Sequence, residues 1–154
     1  MKGQGIGSRE QGIVGVQRLV ESMAKPPRFA GTVQVGMNDS FKDLVVWQRA
    51  VQMSLEIYKL TSAFPASERF GLTNQLRRAS VSVASNIAEG YGKSSRGEYV
   101  SFLGHARGSN GEVQTQLIIS QGLGFGSQES IRQAESLSNE VGRMLVVMMR
   151  RLQK

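Results

Sequence analysis

The segment LTNQLRRASVSVASNIAEGY, Leu72–Tyr91, has the pattern of one long helix, and the architecture of the chain can be worked out from it. Apolar residues recur in it at steps of three and four, which places them on one side of a helix with 3.6 residues per turn. They are Leu72, Leu76, Ala79, Val83 and Ile87. A second stripe beside the first is polar and of mixed kind: Gln75, Arg78, Ser82, Asn86 and Glu89. A solvated face is more commonly rich in Lys and Glu, so this stripe indicates either a site or a polar seam between packed helices.

Three further segments outside this stretch have helical periodicity, and most of the connections between them are short. The predicted helices are α1 (residues 41–62), α2 (72–91), α3 (95–122) and α4 (128–152). Phe64–Pro65 ends α1, because the residue before a proline avoids the helical region. No strand pattern or internal repeat is present in the sequence. These observations predict an all-α domain, an antiparallel up-down-up-down four-helix bundle.

Helix α3 has an unusual composition for a helix interior. Its expected core face is small to apolar: Phe102, Ala106, Ser109, Val113 and Leu117. Four glycines lie within it: Gly97, Gly104, Gly108 and Gly111. Each interior glycine costs about 1 kcal/mol relative to alanine. They indicate either close approach of a neighbouring backbone or a locally weak helix.

Composition bounds the class of protein. A chain of 154 residues with 40% hydrophobic content is sufficient for one domain with a real core. Cysteine is absent, which excludes disulfides, thiol catalysis and thiolate metal sites, and suits a reducing, cytoplasmic location. No apolar run approaches the length of a membrane span. The net charge of +7 favours polyanionic partners, with nucleic acid before anionic membrane.

The N-terminal segment, residues 1–36, differs from the rest of the chain. It contains seven glycines and the pair Pro26–Pro27, and five basic against two acidic residues give it a charge of +3. Residues 37–154 carry fourteen basic against ten acidic residues, so the predicted bundle is only mildly basic. We expect residues 1–36 to be a disordered extension, with Met37 as the natural start of a bundle domain spanning residues 37–154.

The polar stripe of α2 has a natural partner in α3. If the two helices form an antiparallel hairpin that turns near Ser94, Arg78 lies within reach of Glu112. A covered charge needs such a partner, and neighbouring hydroxyl and amide groups complete the hydrogen bonds. The expected network, which would set the helix register, is Arg78, Ser82, Asn86, Glu89, Ser109 and Glu112. This interpretation is favoured over a catalytic or ligand site.

Enzymatic alternatives have little support. The sharpest is a metal site, because Glu98, His105 and Glu112 share one helical face at steps of seven. The di-iron pattern of four-helix bundles requires Glu-x-x-His on two helices, whereas this chain has one histidine. No nucleophile motif accompanies the serines. We therefore expect no catalytic residues, no metal and no cofactor.

Nucleic-acid binding remains open, with a solvated basic face as the competing interpretation. Four basic residues lie on α2, the following turn and α3, where they are predicted to form one patch: Arg77, Lys93, Arg96 and Arg107. Arg150 and Arg151 add charge at the end of α4. Because no helix-turn-helix, RNA-recognition or zinc motif is present, any binding would be directed to the backbone and sensitive to salt.

Three segments resemble a known family. They are FKDLVVWQRAVQMSLEIYKLTSAFP, ERFGLTNQLRRASVSVASNIAEGYG, and the Glu-Tyr, Phe-Leu and Ala-x-Gly-Ser-x-x-Glu motifs of EYVSFLGHARGSNGEVQTQL. The resemblance is to the bacterial four-helix-bundle proteins whose founding members are encoded in intervening sequences of large-subunit ribosomal RNA genes. It covers about residues 41–152 and is most specific in LTNQLRRA-SV-NIAEG. Its motif positions here are Arg78, Ser82, Asn86, Glu89, Gly108, Ser109 and Glu112.

The resemblance implies a bundle that assembles as a ring, a homopentamer, without enzymatic activity and with a supposed nucleic-acid role. A related bundle is the accessory protein of diversity-generating retroelements, which partners a reverse transcriptase. Two hypotheses follow: a scaffold that binds RNA or DNA weakly without base readout, or an accessory factor for another protein such as a reverse transcriptase. Asn110–Gly111 stands where better helix formers are expected, which predicts a looser middle of α3.

Overall fold

A computed structural model describes residues 40–154, which contain four α-helices, two short 3₁₀ turns and no strand. The helices are α1 (Val45–Ser62), α2 (Leu72–Tyr91), α3 (Arg96–Gly122) and α4 (Gln128–Leu152). The prediction of an all-α four-helix fold is confirmed. The expectations for residues 1–36 and for Met37 as the start lie outside the described residues.

Short polar side chains determine where the later helices begin. Ser95 accepts a hydrogen bond from the Glu98 backbone N–H at 3.2 Å, and its hydroxyl donates to Glu98 Oε2 at 2.8 Å. Ser95 is thus the N-cap of α3, and its hydroxyl also holds the carboxylate of Glu98 in the first turn of the helix. Ser127 caps α4 by accepting from the Ser130 N–H at 3.1 Å. Helix α1 begins later than predicted, because Phe41–Asp43 forms a 3₁₀ turn that the extended Leu44 separates from it.

Each helix packs against the helices that precede and follow it, and α4 also packs against α1. Between α2 and α3, Ser82 bonds Ser109, while Gly90 lies against Phe102. From the first contact to the second, the chain advances about two turns along α2 and goes back two turns along α3. The two helices are therefore antiparallel. At Gly90 the approach is close: a Cβ atom there would lie 2.9 Å from both Phe102 Cβ and Tyr99 Cδ2.

The core lies along the axis between the four helices. Its largest fully buried side chains come from all of them, including Met53, Leu76, Leu103 and Leu145. The expected core face of α3 is offset in part. Phe102 and Ser109 were predicted to face the core but are half-buried. The residues that follow them, Leu103 and Asn110, are buried instead. The offset arises because α3 packs against both α2 and α4, so its most buried line lies between the two contacts.

A buried polar contact joins α3 to α4. Asn110 Nδ2 donates to the Ser138 carbonyl oxygen at 3.0 Å, and the Ser138 hydroxyl donates to Asn110 Oδ1 at 2.9 Å. Asn110 is 3% exposed and Ser138 is 0% exposed. Helix α3 continues without interruption through Asn110–Gly111, so the predicted looser middle does not break it. Asn110 is instead a point at which the α3–α4 register is held.

The glycines of α3 are not explained by close packing within residues 40–154. A Cβ atom at Gly97, Gly108 or Gly111 would meet nothing within 4 Å, and one at Gly104 would meet only Met149 Cε at 3.9 Å. Of the two interpretations offered by the sequence, these positions fit a helix with low intrinsic propensity. Gly90, at the α2–α3 contact, is by contrast a glycine that the packing requires.

Gly108→Ala is therefore expected to raise the free energy of unfolding by about 0.5–1 kcal/mol, because alanine removes the backbone-entropy cost and has open space beside it. Urea denaturation followed by circular dichroism measures the change. Gly90→Ala is the matched control and is expected to lower stability by about 1–3 kcal/mol through overpacking. Destabilisation by Gly108→Ala would contradict the free space seen at that position.

Candidate nucleic-acid interface

A groove of about 600 Å³ lies between α3 and α4, and its charged lining is entirely basic. Arg107 contributes from α3 and Arg143 from α4. Gln114 and Asn139 form a hydrogen bond of 3.2 Å across the groove. The lining therefore offers cationic donors and neutral amides, which suits an anionic ligand.

Both guanidinium groups are free to bind. Arg107 and Arg143 are exposed, and neither has an ion pair, hydrogen bond or ring contact with any other residue in the described chain. Two cations that face one groove repel each other unless an anion lies between them. Arginine binds phosphate oxygens with two parallel N–H groups, so this pair has the chemistry of a phosphate contact.

The basic line continues beyond the groove along both helices. Arg150 follows Arg143 by seven residues, two turns, and Arg96 precedes Arg107 by eleven residues, three turns. Each pair therefore shares one helical face. With a rise of about 1.5 Å per residue, the α3 pair spans about 16 Å. Because Arg107 and Arg143 line the groove, this helical spacing puts Arg96 and Arg150 on the same α3–α4 side of the bundle.

The other predicted basic residues lie elsewhere. Arg77 is half-buried between α1 and α2, where its Nε donates to Thr61 Oγ1 at 2.8 Å and its guanidinium lies 4.6 Å from the Tyr58 ring centroid. Lys93 Nζ lies 4.6 Å from the Phe102 ring centroid and 3.4 Å from Glu89. The single patch predicted for Arg77, Lys93, Arg96 and Arg107 is therefore divided. Arg151 is exposed. It follows Arg150 directly and therefore projects about 100° away from it around the axis of α4.

Arg143 is the groove residue that the sequence analysis missed. The seven-residue spacing to Arg150 is visible in the sequence. What the spacing does not reveal is that this face of α4 borders α3. The pairing of Arg143 with Arg107 depends on the helix packing, and the packing requires the structure.

The polar seam between α2 and α3 is assembled in part as expected. The Ser82 and Ser109 hydroxyl oxygens are 2.9 Å apart, and Asn86 Nδ2 donates to the Ser82 carbonyl at 2.8 Å and to its hydroxyl at 3.0 Å. Glu89 forms an ion pair with Lys93, four residues later in the chain, and not with α3. Near this end of α3, burial raises the pKa of Tyr99, and Tyr91 raises it further.

Arg78 and Glu112 line one cleft of about 380 Å³ between α2 and α3. Both are exposed, and they do not form the ion pair that the hairpin geometry predicts. The two residues border the same cleft, as the predicted hairpin register requires, but no ion pair joins their side chains.

The three residues weighed as a metal site do not converge. Among residues 40–154, no group of three or more His, Cys, Asp or Glu side chains is arranged to hold a metal ion. Glu98 is engaged by the Ser95 cap, and the His105 ring lies edge-on to Phe102, with centroids 5.6 Å apart. In the same part of the chain, no helix has the length and apolar character needed to span a membrane.

Comparisons with known proteins agree on the family and the fold. The sequence matches the family of 23S rRNA-intervening sequence proteins over residues 42–147, more than half of the chain. A solved structure of a protein of unknown function from the S23 ribosomal protein family of Bacteroides thetaiotaomicron is similar, with a TM-score of 0.62 and 20% identity. The match covers 68% of this chain and 98% of that one, and at this identity it shows a shared fold alone. No curated protein matches the sequence.

Proposed function

Because the chain belongs to the 23S rRNA-intervening sequence protein family, we propose that it is a non-enzymatic, self-associating scaffold that binds RNA or DNA in the cytoplasm. The observation that carries the proposal is the α3–α4 groove, which Arg107 and Arg143 both line without partners in the described chain. The family name refers to 23S rRNA, which supports RNA as the first polyanion to test.

The proposed contact is with phosphates rather than bases. Four arginines border the groove or extend its line: Arg96, Arg107, Arg143 and Arg150. With four phosphate contacts, the logarithm of the binding constant would fall with the logarithm of the salt concentration at a slope between about −2.8 and about −3.6. Such binding is weak at physiological salt and independent of sequence.

Fluorescence anisotropy tests the proposal with two labelled probes, a large-subunit rRNA hairpin and a scrambled hairpin of equal length. We expect equal affinity for the two probes at low salt and the stated slope as salt is raised. Absence of binding to either probe at low salt would remove the proposal.

Self-association has a candidate surface on the other side of the molecule. A groove of about 480 Å³ between α1 and α2 is lined mainly by apolar side chains, including Phe41, Trp47, Leu55, Tyr58 and Val81. Tyr58 is 46% exposed and Val81 is 44% exposed. Exposed apolar surface of this kind marks interaction sites. We propose that a second copy covers it, in the ring of five that the resemblance implies.

Val81→Glu is accordingly expected to break the assembly, because it places a charge in the apolar groove that a partner would cover. Light scattering should then report a particle of one chain, 16.8 kDa, in place of a larger one. Val147→Glu is the matched control, since Val147 is similarly exposed, at 46%, but borders the α3–α4 groove. A wild-type chain that is already monomeric in dilute buffer would contradict the ring.

An accessory role for another protein, such as the reverse transcriptase of a retroelement, is the second candidate. The same apolar groove supports it, because a different protein with an apolar helix could occupy that surface. The gene neighbourhood distinguishes the two candidates. Flanking ribosomal RNA sequence favours the scaffold, and an adjacent reverse transcriptase gene favours the accessory role.

A further inference from the structure

The α3–α4 groove has an apolar floor that phosphate contacts alone do not use. Besides Arg107 on α3 and Arg143 on α4, much of its lining is small or apolar. Two valines line it from α4, and glycines line it from both helices: Gly111, Gly142, Val146 and Val147. A phosphate held by the two guanidinium groups would leave this surface exposed to water. The groove therefore has room for a second, less polar part of the same ligand.

An amide pair at one end of the groove has hydrogen-bonding groups to spare. Gln114 Nε2 donates to Asn139 Oδ1 at 3.2 Å. Gln114 Oε1 and Asn139 Nδ2 have no partner among residues 40–154, which leaves one acceptor and one donor. Every nucleobase has a donor beside an acceptor on its Watson–Crick edge, and proteins bind unpaired bases through that edge. The amide pair can thus bond any of the four bases without selecting one.

The width of the groove distinguishes a single strand from a duplex. The axes of packed helices lie about 8–10 Å apart, whereas the major groove of a B-form duplex alone is about 12 Å wide. A duplex can rest on the arginines at the rim, but its bases are stacked inside it and do not reach the floor. An unpaired base can be turned out of its stack and laid against apolar side chains or a guanidinium plane.

We infer that the groove binds an unpaired nucleotide of a single strand, with its base on the floor between α3 and α4 and its neighbouring phosphates on Arg107 and Arg143. The inference rests on the proposed function and names the form of nucleic acid that the groove takes. It adds a base to the phosphate contacts, and the base is held without being read, so binding stays independent of sequence.

The placement of the two arginines suits phosphates on either side of an inserted base. They come from opposite walls, since Arg107 belongs to α3 and Arg143 to α4. Gly142, next to Arg143, packs against Asn110, because a Cβ atom on Gly142 would lie 3.1 Å from Asn110 Nδ2. Asn110 follows Arg107 by three residues, so the two arginines are offset by about 4.5 Å along the groove.

The volume and the charge of the groove agree with this ligand. Its volume of about 600 Å³ is within the range of about 300–1,000 Å³ that is usual for sites that enclose a small organic molecule. In the described chain, no acidic side chain lines the groove to repel a phosphate. Charge alone favours the duplex, which carries more phosphates per unit length. A preference for the single strand would therefore report the floor of the groove rather than its charge.

The test uses the full chain and one labelled RNA of about ten nucleotides without internal pairing, either free or annealed to its complement. Fluorescence anisotropy at one low salt concentration gives both affinities. We expect the single strand to bind at least about tenfold more tightly than the duplex. A smaller preference, or a preference for the duplex, would overturn the inference and leave the proposed function standing. Absence of binding to both forms would remove the proposed function and the inference together.

Gly111→Leu tests whether the base lies on the floor of the groove. A Cβ atom at Gly111 would meet nothing within 4 Å, so leucine fills open space in the groove without displacing packed atoms. We expect it to weaken single-strand binding at least about tenfold and to change duplex binding by less than about twofold.

Gly108→Leu is the matched control for Gly111→Leu. Gly108 is also an exposed glycine of α3 with open space beside it, but it does not line the groove. Both variants keep the net charge, and circular dichroism checks that both keep the fold. We expect Gly108→Leu to leave both affinities unchanged. Single-strand affinity that survives Gly111→Leu, or that falls equally in the two variants, would overturn the inference.

Discussion

Replacing Arg107 and Arg143 together by glutamate is expected to weaken nucleic-acid binding by about 100- to 1,000-fold at low salt. The double variant removes two unpartnered guanidinium groups from the groove and puts two carboxylates in their place. Each site then loses a phosphate contact and gains a like-charge repulsion, and the two losses act on the same bound strand. Fluorescence anisotropy with the labelled rRNA hairpin measures the change.

The control is a second double variant with the same change in net charge, Lys42→Glu with Arg69→Glu. Both side chains are exposed, and neither lines the α3–α4 groove. It is expected to weaken binding by less than about threefold, through long-range attraction alone. An equal loss in both double variants would mean that net charge, rather than the groove, determines binding.

Asn110→Ala is expected to lower the free energy of unfolding by about 2–4 kcal/mol. The substitution leaves the Ser138 carbonyl oxygen without its side-chain donor and the Ser138 hydroxyl without its acceptor, at a site shielded from water. It also leaves a cavity where the amide packed between α3 and α4. Chemical denaturation gives the free energy, with an unchanged denaturant slope as the sign that the fold is retained.

Two comparisons make the interpretation of Asn110→Ala specific. Asn139→Ala removes an exposed amide from the same pair of helices and is expected to change stability by less than about 0.5 kcal/mol. A double-mutant cycle with Ser138→Ala should give a coupling of about 1 kcal/mol or more. Additive effects of Asn110→Ala and Ser138→Ala would show that the contact between them contributes nothing.

The helices were predictable because their patterns are long and regular. The bounds of α2 and α4 agree with the predicted ones. The start of α1 was harder to predict, because the apolar Phe41 belongs to the 3₁₀ turn and not to the helix. Its ring packs edge-on against Trp47, with the ring centroids 5.2 Å apart. Periodicity identifies a helix, but it does not show which apolar residue beyond its end folds back onto it.

The candidate sites were less predictable, because neighbouring positions on a helix are about 100° apart and face different partners. Arg77 and Arg78 are adjacent in sequence, yet Arg77 packs on Tyr58 of α1 while Arg78 borders the cleft with α3. Ser109 and Asn110 differ in the same way, one facing α2 and the other α4. A single sequence does not show which helices flank a given helix face. The separation of Arg77 from Arg107, on two different sides of the bundle, could therefore be seen only in the packed structure.

The position of Trp47 has a practical consequence. It is the only tryptophan in the chain, and it lines the apolar groove between α1 and α2. Indole emission shifts to shorter wavelength when water is excluded from the ring. The protein thus contains an intrinsic fluorophore at the surface proposed for self-association, so a dilution series of the unlabelled chain would show optically whether a second copy covers that surface.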